Sequence, residues 1–268
     1  MRFIFLLLSL TLILPAISLP SVEEVPVTSS GQDVQTRIGS LLDSKYEYDL
    51  GFLWLDQVAV ATFKLQKSTK PGLYIASLSA KTVGIAAKLT GNRKQQYVSM
   101  MKMMPDGSFR SVRHTSQKEK GGVNRTKVYV YDYDKREVLQ QYFKKNKLVS
   151  EKILKIEGES FPSDILTTYF NLAAGVYGPM EVGAHYEVPT FSKKGVGNIY
   201  IDFISSSERP KKSFFADDLL ICQVQVDQDV FDTKNGIIYI GYDAKMNPAR
   251  GIVTNIIGMG DVRGVMKN

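Results

Sequence analysis

The sequence has few of the side chains that most often bind metals or act as nucleophiles. Its 268 residues include two histidines, His114 and His185, and one cysteine, Cys222. No histidine pair stands at the spacing of a zinc site, and one cysteine cannot form an internal disulfide. Cys222 lies in an apolar run between Leu219 and Val226, which predicts a buried thiol. We therefore expect no metal, no cofactor and no catalytic residue.

The glycine motifs of nucleotide-binding proteins are incomplete in this chain. Segments 195–197 and 258–260 each begin with Gly-x-Gly, as a dinucleotide-binding fingerprint does. The first lacks the third glycine, and the second leaves too little chain for the helix that holds a pyrophosphate. A phosphate-binding loop and a Gly-x-Ser-x-Gly elbow are absent as well. These absences argue against a nucleotide-dependent enzyme and against a hydrolase of the elbow type.

The apolar run that most resembles a targeting signal stands at the amino terminus. Met1-Arg2 precedes a nearly continuous apolar run from Phe3 to Leu14, and small residues follow up to Ser18. This run is shorter than the roughly 20 residues of a membrane-spanning helix, and the arrangement is typical of a secretory signal. We predict a signal peptide over residues 1–18, cleaved after Ser18 or at a neighbouring bond. The mature protein would then lack a transmembrane anchor and lie in the periplasm or outside the cell.

Residues 19–40 are too polar, and too often interrupted by proline and glycine, to predict regular packing. We expect a flexible leader there, followed by a single β-rich domain over residues 41–268. Within that domain the period of two that is typical of β-strands recurs, as in Arg125–Asp134, where tyrosines alternate with valines. The strands follow one another without long alternating helices. We predict a mainly β fold in which an antiparallel meander forms a curved sheet or an open barrel.

Two helices interrupt the predicted strands. A short one is expected over Gly84–Leu89, with Gly91 just past its end. The principal amphipathic helix begins near Pro162 and packs against the sheet, where it either covers the core or gates a cavity. Its apolar residues recur at intervals of three and four: Ile165, Leu166, Tyr169, Leu172, Ala173 and Val176.

The net charge of +7 is carried largely by lysines and arginines between Arg110 and Lys155. Such a stripe attracts anionic surfaces, and we select Lys144, Lys145 and Lys147 as candidates for contact with one. The same lysines also suit the exposed face of strands, where they discourage aggregation. Predicted export and the lack of a recognition motif argue against nucleic acid as a partner.

Aromatic and acidic residues supply two further candidate sites. Phe52, Trp54, Tyr129, Tyr131 and Tyr169 would line an apolar pocket or a sugar-binding groove, although core packing explains the same pattern. Adjacent carboxylates can share general acid and base roles, and the most obvious acidic pair follows Ala216. On a strand, neighbouring residues point to opposite faces, so a surface loop explains that pair, Asp217 and Asp218, more simply.

A series of short motifs resembles a bacterial exported family known as domain of unknown function 3108. They occur in this order: Tyr48-Asp-Leu-Gly-Phe52, Gly72-Leu-Tyr74, Lys81-Thr-Val-Gly84, Met104-Pro105, Asp164-Ile-Leu-Thr167 and Gly260-Asp-Val-Arg-Gly264. The resemblance implies an envelope protein of β-sheet architecture without an assigned activity. It transfers no catalytic residues to this chain.

Three hypotheses about function follow from the sequence. The first is a non-enzymatic envelope protein that binds a lipid or another amphiphile in a β cavity. The second is an enzyme that acts on cell-wall or exported polysaccharide through a carboxylate pair at Asp217 or Asp218. The third is a structural or assembly partner in the envelope.

Overall fold

A computed structural model of the chain describes residues 29–192, 195–211, 213–257 and 260–267. The predicted signal peptide, and the predicted leader up to residue 28, lie outside these residues. The helices are α1 (Ser29–Leu41), α2 (Gly84–Thr90) and α3 (Ile165–Ala173), and none of the helices in the described ranges is long and apolar enough to cross a membrane. The strands are β1 (Lys45–Phe52), β2 (Leu55–Lys67), β3 (Leu73–Thr82), β4 (Lys94–Met103), β5 (Phe109–Lys120), β6 (Val123–Asp132), β7 (Glu137–Lys144), β8 (Lys147–Lys155), β9 (His185–Ser192), β10 (Gly195–Ile204), β11 (Leu220–Gln225), β12 (Ile237–Tyr242), β13 (Pro248–Ile256) and β14 (Gly260–Met266).

The strands form one antiparallel sheet that consists of two meanders. Strands β1 to β8 pair in sequence order, strands β9 to β14 do the same, and the pairing of β1 with β14 joins the two. The edges of the sheet are β8 and β9, so the strand pairing of the described residues leaves the barrel open. The prediction of a mainly β, antiparallel meander in a curved sheet is confirmed in this open form.

The face of the sheet that packs on α3, here called the inner face, carries the apolar side chains. In β2, for example, Ala59, Ala61, Phe63 and Leu65 are at most 8% exposed and alternate with the less buried Val60, Thr62 and Lys64. Each fully buried side chain of the size of Phe63 or Leu65 contributes about 1.5–3 kcal/mol to stability. The period of two in the sequence therefore directs one face of each strand to the core.

Helix α3 lies inside the curved sheet, between two halves of the core. Its Leu166 and Phe170 pack with residues of β2 to β5, whereas Leu172 packs with residues of β9 to β12. The helix begins three residues after Pro162, because the Asp164 side chain accepts the hydrogen bonds that define its N-cap. The predicted packing of one principal helix against the sheet is thus present, in a shorter helix than the apolar pattern suggested.

Helix α1 occupies part of the segment for which the sequence predicted a flexible leader. Ile38 is 1% exposed and belongs to the core cluster that includes Leu65 and Phe170, and Val34 and Leu41 pack against the same cluster. These three apolar residues recur at intervals of three and four, which is the helical period. Residues 29–41 therefore form a helix whose Val34, Ile38 and Leu41 pack against the domain, contrary to the predicted flexible leader.

Candidate functional site

An apolar cavity of about 340 Å³ lies between α3 and the inner face of the sheet. Small-molecule sites occupy roughly 300–1,000 Å³, so this volume is large enough for a ligand. Helix α3 contributes Ile165, Tyr169 and Leu172 to the wall. The strands contribute mostly aliphatic side chains, among them Leu50, Ala61, Ile201, Val224, Ile240 and Val262.

Pairs of small residues on neighbouring strands line this cavity. Ala61 of β2 lies directly opposite Ala80 of β3, and Gly251 of β13 lies opposite Gly264 of β14. All four residues line the cavity. Interiors otherwise pack as densely as organic crystals, so small side chains that face one another leave a void unless a larger neighbour fills it.

The amino-terminal end of α3 is fixed by a buried carboxylate. One oxygen of Asp164 accepts hydrogen bonds from the backbone N–H groups of Leu166 (2.9 Å) and Thr167 (3.1 Å) and from the Ser99 hydroxyl (2.5 Å). Its other oxygen accepts from the hydroxyls of Ser111 (2.6 Å) and Thr167 (2.8 Å). These bonds attach the helix to β4 and β5. Asp164 opens the motif Asp164-Ile-Leu-Thr167, but the sequence does not show that its side chain caps and anchors the helix.

His114 completes this network without forming a catalytic triad. Its Nδ1 lies 2.9 Å from the Ser99 hydroxyl oxygen and 3.4 Å from an oxygen of Asp164. Because the Ser99 hydroxyl donates its proton to Asp164, it accepts from the histidine, which is the reverse of nucleophile activation. Ser99 is also fully buried. The arrangement therefore positions α3 and offers no accessible nucleophile.

The Asp164 carboxylate stays charged although it is buried. Burial on its own would raise the pKa, but the adjacent His114 and the hydrogen bonds from His114, Ser111 and Ser99 outweigh burial and hold the pKa well below its ordinary value. Further along the helix, the side-chain amide of Asn171 accepts from the backbone N–H of Phe109 (2.7 Å) and donates to its carbonyl (2.9 Å). With both attachments α3 is a fixed wall of the cavity, which favours covering over gating.

The loop over residues 227–235, here called the strap, crosses one end of the cavity. Phe231 lines the cavity and packs on Tyr97 with 5.6 Å between ring centroids, while the Tyr97 hydroxyl donates to the Val230 carbonyl at 2.6 Å. Asp232 forms ion pairs with Arg93 (3.3 Å) and Lys118 (2.8 Å). The strap thus connects the β11–β12 side of the sheet to β4 and β5.

The structure does not bring the five predicted aromatic residues together. Tyr169 lines the cavity, and burial raises the pKa of its phenol well above the ordinary value, so it stays neutral. The aromatic and β-branched pattern of Lys45–Gln66, which Asp56-Gln57 interrupts, predicts a hairpin that turns at those two residues. The hairpin turns at residues 53–54 instead, so Trp54 lies at its tip and is 80% exposed. Phe52 is half-buried beside Gly260, and the pair Tyr129 and Tyr131 packs in a separate core cluster with Phe191.

The three predicted surface lysines are exposed at the β7–β8 turn. Lys144 ends β7, Lys145 adopts a positive φ of 50° in the turn, and Lys147 begins β8. The edge strand that follows is exposed along most of its length, and Leu148 and Val149 are 51% and 58% exposed. Basic and apolar side chains therefore share this corner of the molecule.

The acidic pair does not form a catalytic site. Asp217 is fully exposed and pairs with Arg209 at 2.8 Å, and Asp218 is exposed beside it. A glycosidase mechanism needs two carboxylates that face each other across a cleft, so the hypothesis based on this pair is wrong. Within the described ranges, no group of three histidine, cysteine or acidic side chains is arranged to hold a metal ion. Cys222 is buried, as predicted, and burial raises the pKa of its thiol.

Comparison with known proteins places the chain in a family without an assigned activity. A search among curated proteins finds no match. Among solved structures, the crystal structure of a beta-barrel-like protein of domain of unknown function DUF1849 from Brucella abortus aligns with 84% of this chain and 95% of its own. Its identity is 11% and its TM-score is 0.23. The family described as protein of unknown function DUF3108 matches residues 45–258, and the chain therefore belongs to the DUF3108 family.

Proposed function

We propose that this protein is a non-enzymatic binding protein that holds an apolar or amphiphilic ligand, such as a lipid, between α3 and the sheet. The observation that carries the proposal is the apolar cavity of about 340 Å³. The walls of this cavity are almost entirely apolar, and apolar surface that stays in contact with water costs roughly 25 cal/mol per Å² compared with buried surface. A bound hydrocarbon would remove most of this cost.

We further propose that the protein acts in the periplasm or outside the cell, after removal of residues 1–18. The amino-terminal pattern of one basic residue, an apolar run and small residues supports this location. In that setting the β7–β8 hairpin would meet a membrane surface. Lys144, Lys145 and Lys147 would contact anionic head groups while the neighbouring Leu148 and Val149 reach the apolar boundary.

Native mass spectrometry of the full chain, purified gently from its own cells, tests the binding proposal. We expect a bound species of lipid mass that is released on collision, and displacement of an environment-sensitive alkyl fluorophore by added lipid. The variant Ala80→Phe is the matched control, because its ring would occupy the space opposite Ala61. A ligand-free mass for the wild-type protein, together with no fluorophore binding, would overturn the proposal.

A further inference from the structure

Positive side chains border the cavity at the end that the strap crosses. Arg93 immediately precedes β4 and lines the cavity together with Gln95 of the same strand. Lys118 of β5 lies directly opposite Gln95, so the two side chains share the inner face. Asp232 of the strap reaches both cations, at 3.3 Å from Arg93 and 2.8 Å from Lys118. An apolar space and a charged site are therefore adjacent.

Two positive side chains meet at this end of the cavity. Arg93 and Lys118 each form an ion pair with the carboxylate of Asp232. Burial, above all, lowers the pKa of Lys118, Asp232 opposes that effect, and the positive charges of Lys127 and Arg93 lower it further. Cations that are partly withdrawn from water and close to one another attract any anion that can reach them.

Gln95 supplies a hydrogen-bond donor that points to the same place. Its Nε2 is buried and, among the residues that the structure describes, has no hydrogen-bond partner. Buried amide groups almost always have a partner, because leaving one unpaired is costly. Since Gln95 lines the cavity, an acceptor oxygen on a bound molecule would satisfy this group.

We infer that the ligand is a single-chain anionic amphiphile, whose carboxylate or phosphate head binds between Arg93, Gln95 and Lys118 and displaces the carboxylate of Asp232. The inference rests on the proposed function and specifies its ligand. The volume of about 340 Å³ is a little over twice the roughly 150 Å³ that holds one benzene molecule, so it suits one chain of about a dozen carbons. Two acyl chains would exceed it.

In this arrangement the carboxylate of Asp232 takes the position beside the two cations that the ligand head would occupy. It holds the strap against β4 and β5 while the site contains no anion, and an incoming head group competes for the same two cations. Removing the charge of Asp232 and removing that of Lys118 should therefore have opposite effects on anion binding. A purely structural ion pair would give the same effect for both.

Competition of the full chain with an alkyl fluorophore, using dodecanoate, dodecyl phosphate and dodecanol, tests the inference. We expect both anions to bind at least about tenfold more tightly than dodecanol, since charge-assisted hydrogen bonds to the head are worth about that factor. The ratio between the two anions distinguishes a carboxylate ligand from a phosphate ligand. Equal affinities for anions and alcohol would overturn the inference and leave the proposed function standing, whereas no binding of any of the three would overturn both.

Two variants and two controls sharpen the test. Lys118→Gln should weaken dodecanoate about tenfold and leave dodecanol unchanged, and Asp232→Asn should strengthen dodecanoate by several-fold. Lys118→Arg should restore the preference for the anion, and Lys70→Gln, on the exposed β2–β3 turn, should change nothing. If Lys118→Gln and Asp232→Asn alter all ligands equally, the ion pair only supports the strap and the inference is wrong.

Discussion

Removal of the Asp164 carboxylate should destabilise the protein more than most substitutions in it. Asp164→Ala deletes the N-cap of α3, and with it the acceptor for the hydroxyls of Ser99, Ser111 and Thr167. Loss of an N-cap costs about 0.5–2 kcal/mol, and each buried group left without a partner costs about 1–3 kcal/mol. Because some of the hydroxyls can rotate to new partners, we expect the free energy of unfolding to fall by about 3–5 kcal/mol in total.

Urea denaturation followed by circular dichroism measures this loss. With a slope of about 2–3 kcal/mol per molar, the midpoint should fall by roughly 1–2.5 M urea without a change in slope. Asp164→Asn keeps an acceptor for the backbone N–H groups of Leu166 and Thr167 and should lose roughly half as much. Asp218→Ala, on the exposed turn, is the control and should stay within about 0.5 kcal/mol of wild type. If Asp164→Ala also stays within about 1 kcal/mol, the network does not anchor α3.

Four further predictions concern pH, packing, reactivity and membrane contact. The pKa of Asp164 is held below its ordinary value in the folded state. The carboxylate therefore contributes stability above its unfolded pKa of about 3.9, and this contribution is lost as the pH falls toward the folded pKa. In an acid titration, the unfolding free energy of Asp164→Asn should lack this pH-dependent loss. Ala80→Phe should reduce fluorophore binding by at least about tenfold while the circular dichroism spectrum stays unchanged, because its ring fills the cavity. Cys222 should resist thiol reagents in the folded protein and react only as the protein unfolds in denaturant, since its thiol is buried and its pKa is raised. Replacing Lys144 and Lys145 together by glutamine should weaken binding to anionic vesicles and leave neutral vesicles unaffected, as sedimentation with vesicles can show; equal binding to both would contradict it.

Local sequence signals predicted the elements of this fold well. The alternation over Arg125–Asp134 predicted a strand, and β6 runs over Val123–Asp132. The helix expected over Gly84–Leu89 is α2, and Gly91 adopts the left-handed conformation with a φ of 73° at its end. The alternation of a strand and the glycine after a helix both depend only on residues close together in the chain, so they can be recognised in a single sequence.

Turn position was predicted less well. The first hairpin turns through Leu53 and Trp54, and Leu53 takes a positive φ of 53° that leucine rarely adopts. No glycine or asparagine stands in this turn, so the sequence pattern placed the turn three residues later. For the same reason Trp54, which was expected in the wall of a pocket, lies at the exposed tip of the hairpin.

The candidate site depended on contacts between distant segments, and these were not predictable from periodicity. Arg93 and Asp232 are 139 residues apart in the chain. The apolar residues of the strap recur with neither the period of two of a strand nor the period of a helix. The opposed pairs of small residues can be recognised only when the strand register is known. Of the predicted aromatic residues, only Tyr169 lines the cavity, because the others occupy positions that the hairpin turn or a separate core cluster determines.

The pairing of β1 with β14 has a consequence for how the cavity comes into being. Within each meander, strands pair with neighbours in sequence and close short loops, which is fast. The β1–β14 seam instead joins the two ends of the described domain, with Tyr48 opposite Met266, and its contacts have the greatest sequence separation in the sheet. Both meanders contribute walls to the cavity, so neither contains it alone. We expect the binding site to form only when the seam closes, so ligand uptake would report the closure of the seam during folding.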